Sequence, residues 1–570
     1  MFFTVEINNQ KVTAKKGETI LSLLNRNGIF VPTLCHMPGF SPTGSCRMCV
    51  VEVEGRSSLV PSCSQLVEEW MSIKTHSPRV IKARKTLVEL LLANHPDDCL
   101  YCDRTGNCEL QKLAIELNVT ERRYRSRRPS VMIDRNCSSL ERDSAKCISC
   151  GRCIRICDEI IGVKSIEFIG RGHTSSIGTA QNKGLNLKSC IKCGQCISVC
   201  PTGAIREKPA LQTVIDALGN DKVIPVIQLS SLIPFSIGEE LGIKSGKDIL
   251  NLLRTALRKI GFRNVFDSSF GADLVVMEEA AELMRRIQNN EKLPVFSSYC
   301  PSWNLQVEQN IPRLSGHLSD VLSPQQIIGN LIKFHYASRA GVPAGQIFSV
   351  SVMPCTSRKT EADRNLSDDP AIKPVDAVLT TRELAKLLCI FGIDFSKLEP
   401  EVTEGAFGTY GSSGKLFGVA GGVAESVTRT LHYMMTGQEL KNYRISELRG
   451  NKGRKEGKIK IGKMTFGVAV VNGMSNLREL LAELDAGKND IHFVEVMACP
   501  MGCVNGGGQS IGTDEKSLRA RIKSVYDADE EEMIRAAHKN PIVNQIYDEL
   551  LKAPLSPAAM NFLHKKPLKD

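Results

Sequence analysis

At the start of the chain, apolar and polar residues follow the short period that is typical of β-strands. The runs FFTVEI and KVTAKK flank Asn8 and Asn9, a pair typical of a tight hairpin turn. The segment ETILSLLNRNG then has helical spacing of its apolar residues and reaches Gly28, a residue type that commonly ends helices. These patterns predict a small domain rich in β-structure over residues 1–80.

From about residue 210 onward, strand-like apolar runs alternate with helix-like segments. VIPVIQL has the composition of a buried strand, a helical pattern covers residues 271–289, and another strand-like run lies at Pro294. A further helix is predicted to open at Ser323 and Pro324, because proline is favoured at the first helical position. This alternation predicts an α/β domain with largely parallel sheets.

Three of the later apolar runs are each followed by a cysteine within a few residues. They are Leu293–Phe296, Phe348–Met353 and His492–Met497, and they lead into SSYCPSW, VMPCTSRK and VMACPMGC. Ligands of open α/β sheets gather where the carboxyl ends of strands meet. We therefore expect one buried metal site made by four thiolates, those of Cys300, Cys355, Cys499 and Cys503.

Length and cysteine content narrow the class of protein. A chain of 570 residues can form several domains, and the repeated C-x2-C spacing among its 21 cysteines favours metal binding over disulfides. The start MFFTVEINNQ lacks the basic and apolar regions of a signal peptide, and no apolar run approaches the roughly 18 residues of a membrane span. We expect a cytoplasmic protein without a membrane segment.

The chain carries a net charge of +11, and its densest basic run is ERRYRSRRPS, Glu121–Ser130. Three interpretations are open: a solvated interdomain loop, a docking surface for an acidic electron carrier, or a nucleic-acid site. Apart from Tyr124 the run has no interleaved aromatic residue, which disfavours nucleic acid. We expect no nucleic-acid partner.

The first group of cysteines has the spacing C-x10-C-x2-C-x13-C. A loop that carries most of the thiols, with one distant cysteine, resembles the plant-type 2Fe–2S ferredoxin pattern. Zinc is the alternative, but closed zinc sites usually use two paired knuckles and only one close pair exists here. The pattern favours a 2Fe–2S cluster held by Cys35, Cys46, Cys49 and Cys63.

The segment NHPDDCLYCDRTGNCEL follows the predicted helix KTLVELLLAN. Its histidine is placed to complete a four-ligand set with three cysteines, although a lone histidine is more often a core or surface residue. One histidine with three cysteines also suits zinc. The neighbouring cluster motifs favour a 4Fe–4S cluster with the ligands His95, Cys99, Cys102 and Cys108.

An internal repeat lies between residues 137 and 209. The spacing C-x2-C-x2-C-x3-C occurs twice, as in bacterial two-cluster ferredoxins, where each fourth cysteine ligates the other cluster. One 4Fe–4S cluster is therefore assigned to Cys147, Cys150, Cys153 and Cys200. The other is assigned to Cys190, Cys193, Cys196 and Cys157.

Two cysteines remain outside these sets. Cys389 lies in the helical pattern TRELAKLLCIFG and is expected to be a small core residue, while Cys137 has no assigned role. No dinucleotide-binding or Walker motif is evident. The glycine-rich GCVNGGG, Gly502–Gly508, is expected to let backbone approach a cofactor closely.

With these motifs in place, the whole chain resembles an iron–iron hydrogenase of the large, monomeric clostridial type. The family signatures appear as SSYCPSW, MPCTSRKTE and EVMACPMGCVNGGG. The resemblance implies a catalytic H-cluster: a 4Fe–4S cubane on the four late cysteines, and a diiron unit with CO, cyanide and an azadithiolate, bridged through Cys503. It also implies that Met353 and Met497 line the pocket.

The resemblance further implies a proton relay, in which this chain departs from its family. Glu279, Glu282, Ser319 and Arg286 stand where the family has relay residues, but Tyr299 replaces the usual cysteine. A phenol titrates near 10 and a thiol near 8.5, roughly, so Tyr299 is the less effective acid–base group. For Glu279, Glu282 and Arg286, the alternative to a relay is a helix face that carries an i,i+4 ion pair.

A second departure is Arg358, where many members have a lysine that hydrogen-bonds a cyanide ligand. Arginine is a planar fork and an unequal donor; the adjacent Lys359 would point elsewhere from an extended loop. The prediction is reversible interconversion of H2 with protons and electrons, exchanged with ferredoxin. The alternatives are a slow or H2-sensing relative and a non-catalytic iron–sulfur protein.

The predicted architecture is multidomain α/β. A β-grasp 2Fe–2S ferredoxin-like domain covers residues 1–80 and a histidine-ligated cluster segment covers 81–125. A two-4Fe–4S ferredoxin-like domain covers 126–209, and an α/β hydrogenase domain covers 210–570. Maturation proteins would insert the diiron unit. With four accessory clusters on one chain, extra electron-transfer subunits are unnecessary, and we expect a monomer.

Overall fold

A computed structural model describes residues 2–124, 133–186, 189–243, 248–364, 372–401, 407 and 411–565. Residues 125–130, the greater part of the basic run, lie outside this set. None of the helices within these ranges is both long and apolar enough to cross a membrane.

The N-terminal residues form the predicted β-rich unit. Asn8 and Asn9 both have positive φ angles of 48° and 67°, as the tight turn requires, and the helix Ile20–Arg26 is capped by the Thr19 side chain. The mixed sheet has five strands in the order Gln10–Lys15, Phe2–Ile7, Ser72–Lys74, Val50–Val53 and Val60–Pro61.

The helices between residues 78 and 209 are short, apart from Pro78–Ala93. The cysteines of the motifs lie in these short helices or on the loops between them. In the repeat, each copy begins its helix after a left-handed glycine, Gly151 (φ 71°) and Gly194 (φ 73°). The remaining helices of this region are Glu109–Glu116, Arg152–Arg155 and Gln195–Val199, and its antiparallel strand pairs are Leu140–Arg142 with Ile205–Glu207 and Glu167–Ile169 with Ser176–Gly178.

Two four-stranded sheets form the C-terminal half, as the α/β pattern predicts. The first is all parallel, in the order Asn264–Asp267, Ile224–Leu229, Ile347–Met353 and Ala377–Thr380. The second is parallel except for its last strand, in the order Val295–Phe296, Phe493–Met497, Met464–Asn472 and Arg454–Ile461.

The helices of this half pack around the two sheets, and the longest, Ser269–Gln288, is buried along most of its length. The predicted helix at Ser323 is present, with the Ser323 hydroxyl as its cap. The α-helices are Leu211–Leu218, Ile233–Leu241, Ile249–Lys259, Ser269–Gln288, Pro301–Asn310, Pro324–Asn330, Ala337–Arg339, Ser357–Asp363, Thr381–Ile390, Ser413–Leu416, Gly422–Thr436, Leu477–Asp485, Glu515–Glu531, Pro541–Ile546 and Pro557–Leu563.

One expectation needs correction, and one feature of the fold was not predicted. Cys389 is exposed and not a core residue, because it lies on the outer face near the end of helix Thr381–Ile390. The strands that precede the four late cysteines do not share one sheet: Ile347–Met353 belongs to the first sheet, and Val295–Phe296 and Phe493–Met497 belong to the second. The four thiols therefore meet between two sheets.

Candidate active site

The four late cysteines line one cavity where the carboxyl ends of strands from both sheets approach each other. Cys300, Cys355 and Cys499 are buried, and Cys503 is half-buried. The wall between the thiols is apolar or basic and includes two buried methionines. The cavity is lined by Tyr299, Cys300, Pro301, Ser302, Met353, Pro354, Cys355, Arg358, Met497, Ala498, Cys499, Cys503 and Gly506.

Glycines allow the last signature to fold tightly against its neighbours. A Cβ on Gly506 would lie 2.2 Å from the carbonyl oxygen of Pro354, and one on Gly507 would lie 2.3 Å from that of Cys193. Gly508 donates its backbone N–H to the Pro354 carbonyl at 2.9 Å. These glycines make room for adjacent backbone, and the close approach to a cofactor stays a prediction.

The chemistry of the four thiols suits a metal–sulfur cluster. Burial, with a smaller contribution from the neighbouring thiols, raises the pKa of Cys355 to about 11 and that of Cys503 to about 12. Four thiolates can share such a cavity only when a cationic metal core neutralises them. Within the described ranges, no group of three or more His, Cys, Asp or Glu side chains has the arrangement that holds a single metal ion.

Tyr299 points its phenol into this cavity. Its hydroxyl oxygen lies 3.5 Å from the Cys503 sulfur, and its ring packs edge-on against Phe417 with the ring centres 5.0 Å apart. Arg358 lies with its guanidinium carbon 5.0 Å from the centre of the Tyr299 ring, donates to the Tyr299 carbonyl at 2.9 Å and pairs with Glu361 at 2.7 Å.

Lys359 points away from the cavity, as expected, although the cause differs from the one anticipated. Residues Ser357–Asp363 form a helix and not an extended loop. Lys359 donates to the Val378 carbonyl at 2.7 Å and pairs with Glu383 at 2.8 Å. Arg358 is therefore the cation that faces the cavity.

Glu279 is fully buried next to the first signature. One carboxylate oxygen accepts from the Ser297 hydroxyl at 2.8 Å and from the Ser298 backbone at 3.3 Å, and the other has no hydrogen-bond partner among the described residues. Burial raises the pKa of Glu279 to about 8, with the nearby Glu282 adding to the effect. The carboxyl can therefore hold a proton at neutral pH.

Glu282 lies one helical turn from Glu279. We call Ser297, Glu279, Glu282, Ser319 and Arg286 the polar strip, and Glu282 belongs to its outer part. It accepts from Arg286 at 2.5 Å and from the Ser319 hydroxyl at 2.7 Å, and the ion pair with Arg286 is itself buried. The i,i+4 pair and the polar strip are thus both present. Ser297 is a member of this group that sequence reasoning missed, although it lies in the first signature, two positions before Tyr299.

The repeat brings its cysteines together in crossed sets. One cavity is lined by Cys147, Cys150, Cys153 and Cys200, and a second by Cys157, Cys190, Cys193 and Cys196. Burial raises the pKa of Cys150 and of Cys190 to about 12, which again suits thiols that are charged only when metal binds them. Cys137 is buried in the same apolar core.

The four N-terminal cysteines also converge. The thiol of Cys35 lies close enough to those of Cys46 and Cys63 to perturb their pKa, and the thiol of Cys63 stands in the same relation to that of Cys49. Three of the four are buried, and Cys46 is half-buried. The structure thus places the thiols of the C-x10-C-x2-C-x13-C pattern in mutual contact.

His95 has one ring nitrogen free to bind a metal. Its Nδ1 lies 3.0 Å from the Pro96 carbonyl, while Nε2 is buried without a hydrogen-bond partner among the described residues. Burial lowers its pKa, so the ring is neutral and Nε2 carries a lone pair. Cys102 and Cys108 are half-buried and Cys99 is exposed, and the grouping of these three thiols with His95 stays a prediction.

Short contacts connect the proposed cluster sites in series. Thr356, next to Cys355, donates to the Lys192 carbonyl at 2.9 Å, and Gln195 donates to the Asn505 carbonyl at 2.7 Å. These bonds join the four-thiol cavity to the site that contains Cys193. Arg104, between Cys102 and Cys108, donates to the Cys200 carbonyl at 3.1 Å.

The site of the four N-terminal cysteines also contacts the first copy of the repeat. Arg155 donates to the carbonyls of Cys35 and Ser41, and Cys46, Cys108 and Ile148 belong to one apolar cluster. The histidine site and the N-terminal site therefore both border the cavity of Cys147–Cys153, and the second repeat site separates that cavity from the late cysteines.

Five family models match successive parts of the chain. Residues 223–507 match the iron only hydrogenase large subunit, C-terminal domain, and residues 515–566 match the iron hydrogenase small subunit. Residues 2–78 match a 2Fe-2S iron-sulfur cluster binding domain. Residues 84–123 match the NADH-ubiquinone oxidoreductase-G iron-sulfur binding region, and residues 138–206 the ferredoxin-like domain of NADH-quinone oxidoreductase subunit 3.

Relatives match over nearly the full length. The chain is 38% identical to the NADP-reducing hydrogenase subunit HndD of Solidesulfovibrio fructosivorans over 98% of both chains. It is 36% identical to iron hydrogenase 1 of Clostridium pasteurianum over 99% of both. A solved structure of apo FeFe-hydrogenase HydA1 from Chlamydomonas reinhardtii covers 62% of this chain and 98% of its own, with 32% identity and a TM-score of 0.56. The chain belongs to the iron-only hydrogenase family and is an oxidoreductase.

Proposed function

We propose that this protein interconverts H2 with protons and electrons at an H-cluster held by Cys300, Cys355, Cys499 and Cys503. The observation that carries the proposal is the convergence of four thiols from two sheets on one largely apolar cavity. When bound, the diiron part of such a cluster supplies the chemistry that splits or forms H2. The chain itself has to provide a dry pocket, a proton path and an electron path.

Met353 and Met497 give the pocket its apolar wall. Both are buried, at 5% and 1% exposure, and both line the cavity beside the thiols. An apolar wall keeps water out, which strengthens the charge interactions of the bound ligands. Arg358 supplies the positive charge that would balance anionic ligands on the same side.

The proton path is proposed to run along the polar strip. Arg286 and Ser319 hold Glu282 at its outer end, and Ser297 and Glu279 form its inner end. The Tyr299 phenol is hydrogen-bonded to Cys503 and, in the described part of the chain, to neither Ser297 nor Glu279. A proton would therefore pass from Glu279 to the cavity through a water molecule, in place of the cysteine thiol that the family uses.

The electron path is proposed to use four accessory clusters in the first three of the four domains given above, residues 1–80, 81–125 and 126–209. The site of Cys190, Cys193, Cys196 and Cys157 would exchange electrons with the H-cluster, because hydrogen bonds join the two directly. The site of Cys147, Cys150, Cys153 and Cys200 would connect that cluster to two outer clusters, which we call the two arms. One arm is the 2Fe–2S cluster and the other is the histidine-ligated 4Fe–4S cluster. Cys99 is the exposed ligand of the second arm.

Anaerobic turnover with a viologen dye tests the proposal, on protein produced with the maturation machinery. We expect H2 evolution and uptake, and their ratio gives the bias. Cys503→Ala is the matched control: it should abolish turnover while the accessory clusters still assemble. An intact infrared carbonyl spectrum with no turnover in either direction would favour the H2-sensing alternative.

The physiological electron partner has two candidates. An acidic carrier such as ferredoxin suits the net charge of +11. The full-length similarity to a subunit named NADP-reducing hydrogenase favours a nicotinamide-linked complex. The isolated chain should evolve H2 from reduced ferredoxin but not from NADPH, since it lacks a dinucleotide motif; NADPH-driven H2 evolution by the chain alone would contradict this. We propose the cytoplasm as its compartment.

A further inference from the structure

The two departures from the family, Tyr299 and Arg358, contact each other. The Arg358 guanidinium lies over the Tyr299 ring at 5.0 Å and donates to the backbone carbonyl of the same residue at 2.9 Å. A lysine ammonium is a compact charge without the planar fork that makes both contacts together. The arginine thus accompanies the tyrosine for a structural reason.

These contacts fix the direction of the phenol. Phe417 supports the ring edge-on from a second side, with ring centres 5.0 Å apart, and Glu361 holds the guanidinium at 2.7 Å. With the ring held on two faces, the hydroxyl is directed at the Cys503 sulfur, 3.5 Å away. This distance is within the range of an O–H hydrogen bond to sulfur.

A hydrogen bond to a metal-bound thiolate changes the metal site. A metal-bound cysteine has lost its proton, so the phenol is necessarily the donor. Such a bond withdraws electron density from the sulfur, and hydrogen bonds to cluster sulfurs are among the factors that set cluster potentials. The donor stabilises the reduced state, in which the cluster carries more negative charge.

We infer that Tyr299, held by Arg358, acts as a hydrogen-bond donor to the Cys503 thiolate and raises the reduction potential of the H-cluster. This role rests on the proposed function, and it replaces the relay role of the family's cysteine with a tuning role. Arg358 is then a positioning residue that acts through Tyr299.

Infrared spectroelectrochemistry of the matured full-length protein tests the inference. Carbonyl and cyanide bands arise at the diiron unit alone, so the accessory clusters do not interfere. Tyr299→Phe keeps the ring and removes the hydroxyl. We expect its midpoint potential to fall and its carbonyl bands to move to lower wavenumber. Arg358→Lys should shift both in the same direction by a smaller amount.

The matched control is Tyr336→Phe, because that tyrosine also packs on a phenylalanine of this domain but bonds Asn264. Its bands and potential should equal those of the unsubstituted protein. Intact bands with an unchanged potential in Tyr299→Phe would overturn the inference and leave the proposed function standing. Absence of carbonyl bands from the unsubstituted, matured protein would overturn both.

Discussion

At the scale of single residues, Glu279 is the group on which the proposed proton path depends most. It is fully buried, it is tied to the first signature through Ser297, and its second carboxylate oxygen has no hydrogen-bond partner among the described residues. An uncommitted oxygen on a protonatable group is what a transfer step requires. The neighbouring Glu278 differs, since it is bonded to Tyr547, Leu555 and His564.

Glu279→Gln should therefore lower H2 turnover by about 10² or more, the effect of losing a general acid–base group. The measurement is the turnover rate with viologen at pH 7. Glu278→Gln is the control on the same helix: it should retain turnover and lose about 1–3 kcal/mol of stability, because an amide places N–H groups against donors. Equal losses of turnover in both variants would contradict the assignment.

The raised pKa of Glu279 gives a pH dependence. Burial moves its pKa to about 8, so H2 evolution should decline as pH rises through about 8, and this inflection should be absent from Glu279→Gln. The folded protein binds more protons here than the unfolded chain between pH ~4.3 and about 8, so this group lowers the free energy of unfolding as pH rises across that window. An unaltered pH profile in Glu279→Gln would exclude the group from proton transfer.

Tyr299→Cys should raise turnover by about tenfold or more, since it restores a thiol and opens space between Ser297 and the cavity. The comparison is with Tyr299→Phe, which opens no space and should not accelerate turnover. The measurement is the H2 evolution rate per intact H-cluster, counted from infrared bands. An unchanged rate in Tyr299→Cys would show that the phenol does not limit proton transfer.

Short fixed intervals predicted the cysteine sets of the repeat, and the apolar runs that precede Cys300, Cys355 and Cys499 predicted the late set. Spacing could not predict Ser297, whose role depends on where a buried glutamate from another element points. Nor could it predict that Cys389 is exposed, since the helical pattern around it does not say which face meets the core. Side-chain direction is set by packing between elements distant in sequence.

At the scale of elements, the segment that matches the iron hydrogenase small subunit is fastened by a buried ion-pair network. Arg429 on helix Gly422–Thr436 pairs with Glu425 and with Asp529 on helix Glu515–Glu531, and all three side chains are fully buried. Arg449 pairs with both carboxylates as well. The network joins helix Glu515–Glu531 to helix Gly422–Thr436, which packs beside the second sheet.

Arg429→Met should destabilise the protein by about 3–5 kcal/mol, because it removes the fully buried cation of the network and leaves two buried carboxylates to share Arg449. Denaturant unfolding measures this loss. Arg444→Met is the control: that residue makes a more exposed pair with Glu530, and its loss should cost less than about 1 kcal/mol. Similar midpoints for the two variants would show that the buried network does not contribute as inferred.

Element boundaries followed from local signals where such signals exist. The hairpin at Asn8, the cap at Ser323 and the alternation after residue 210 were predicted because turns, caps and periodicity are local properties. The division of the second half into two sheets was not. Strand pairing is decided by contacts across long stretches of chain, and the apolar runs themselves look alike.

At the scale of the whole molecule, the proposed cluster sites would form a branched series that ends at the late cysteines. Within the described ranges, hydrogen bonds join the site of Cys193 directly to the loops of the late cysteines, through Thr356 and Gln195. Electrons from either outer arm would therefore pass through it.

Cys196→Ala should break this line at its last step. Viologen-linked and ferredoxin-linked turnover should fall by about tenfold or more, while reactions that need no external electrons continue; iron content and infrared bands check that the H-cluster is present. The matched variant is Cys99→Ala, at the exposed end of one arm, which should leave the other arm working. Undiminished ferredoxin-linked turnover in Cys196→Ala would refute the order of sites.

The most direct test of the central claim is isotope exchange between D2 and water, on the matured protein without any electron carrier. Heterolytic cleavage at the four-thiol site, with proton exchange through the pocket, predicts steady formation of HD and H2, lost in Cys503→Ala and retained in Cys196→Ala. Protein with intact carbonyl bands that forms no HD would contradict the account.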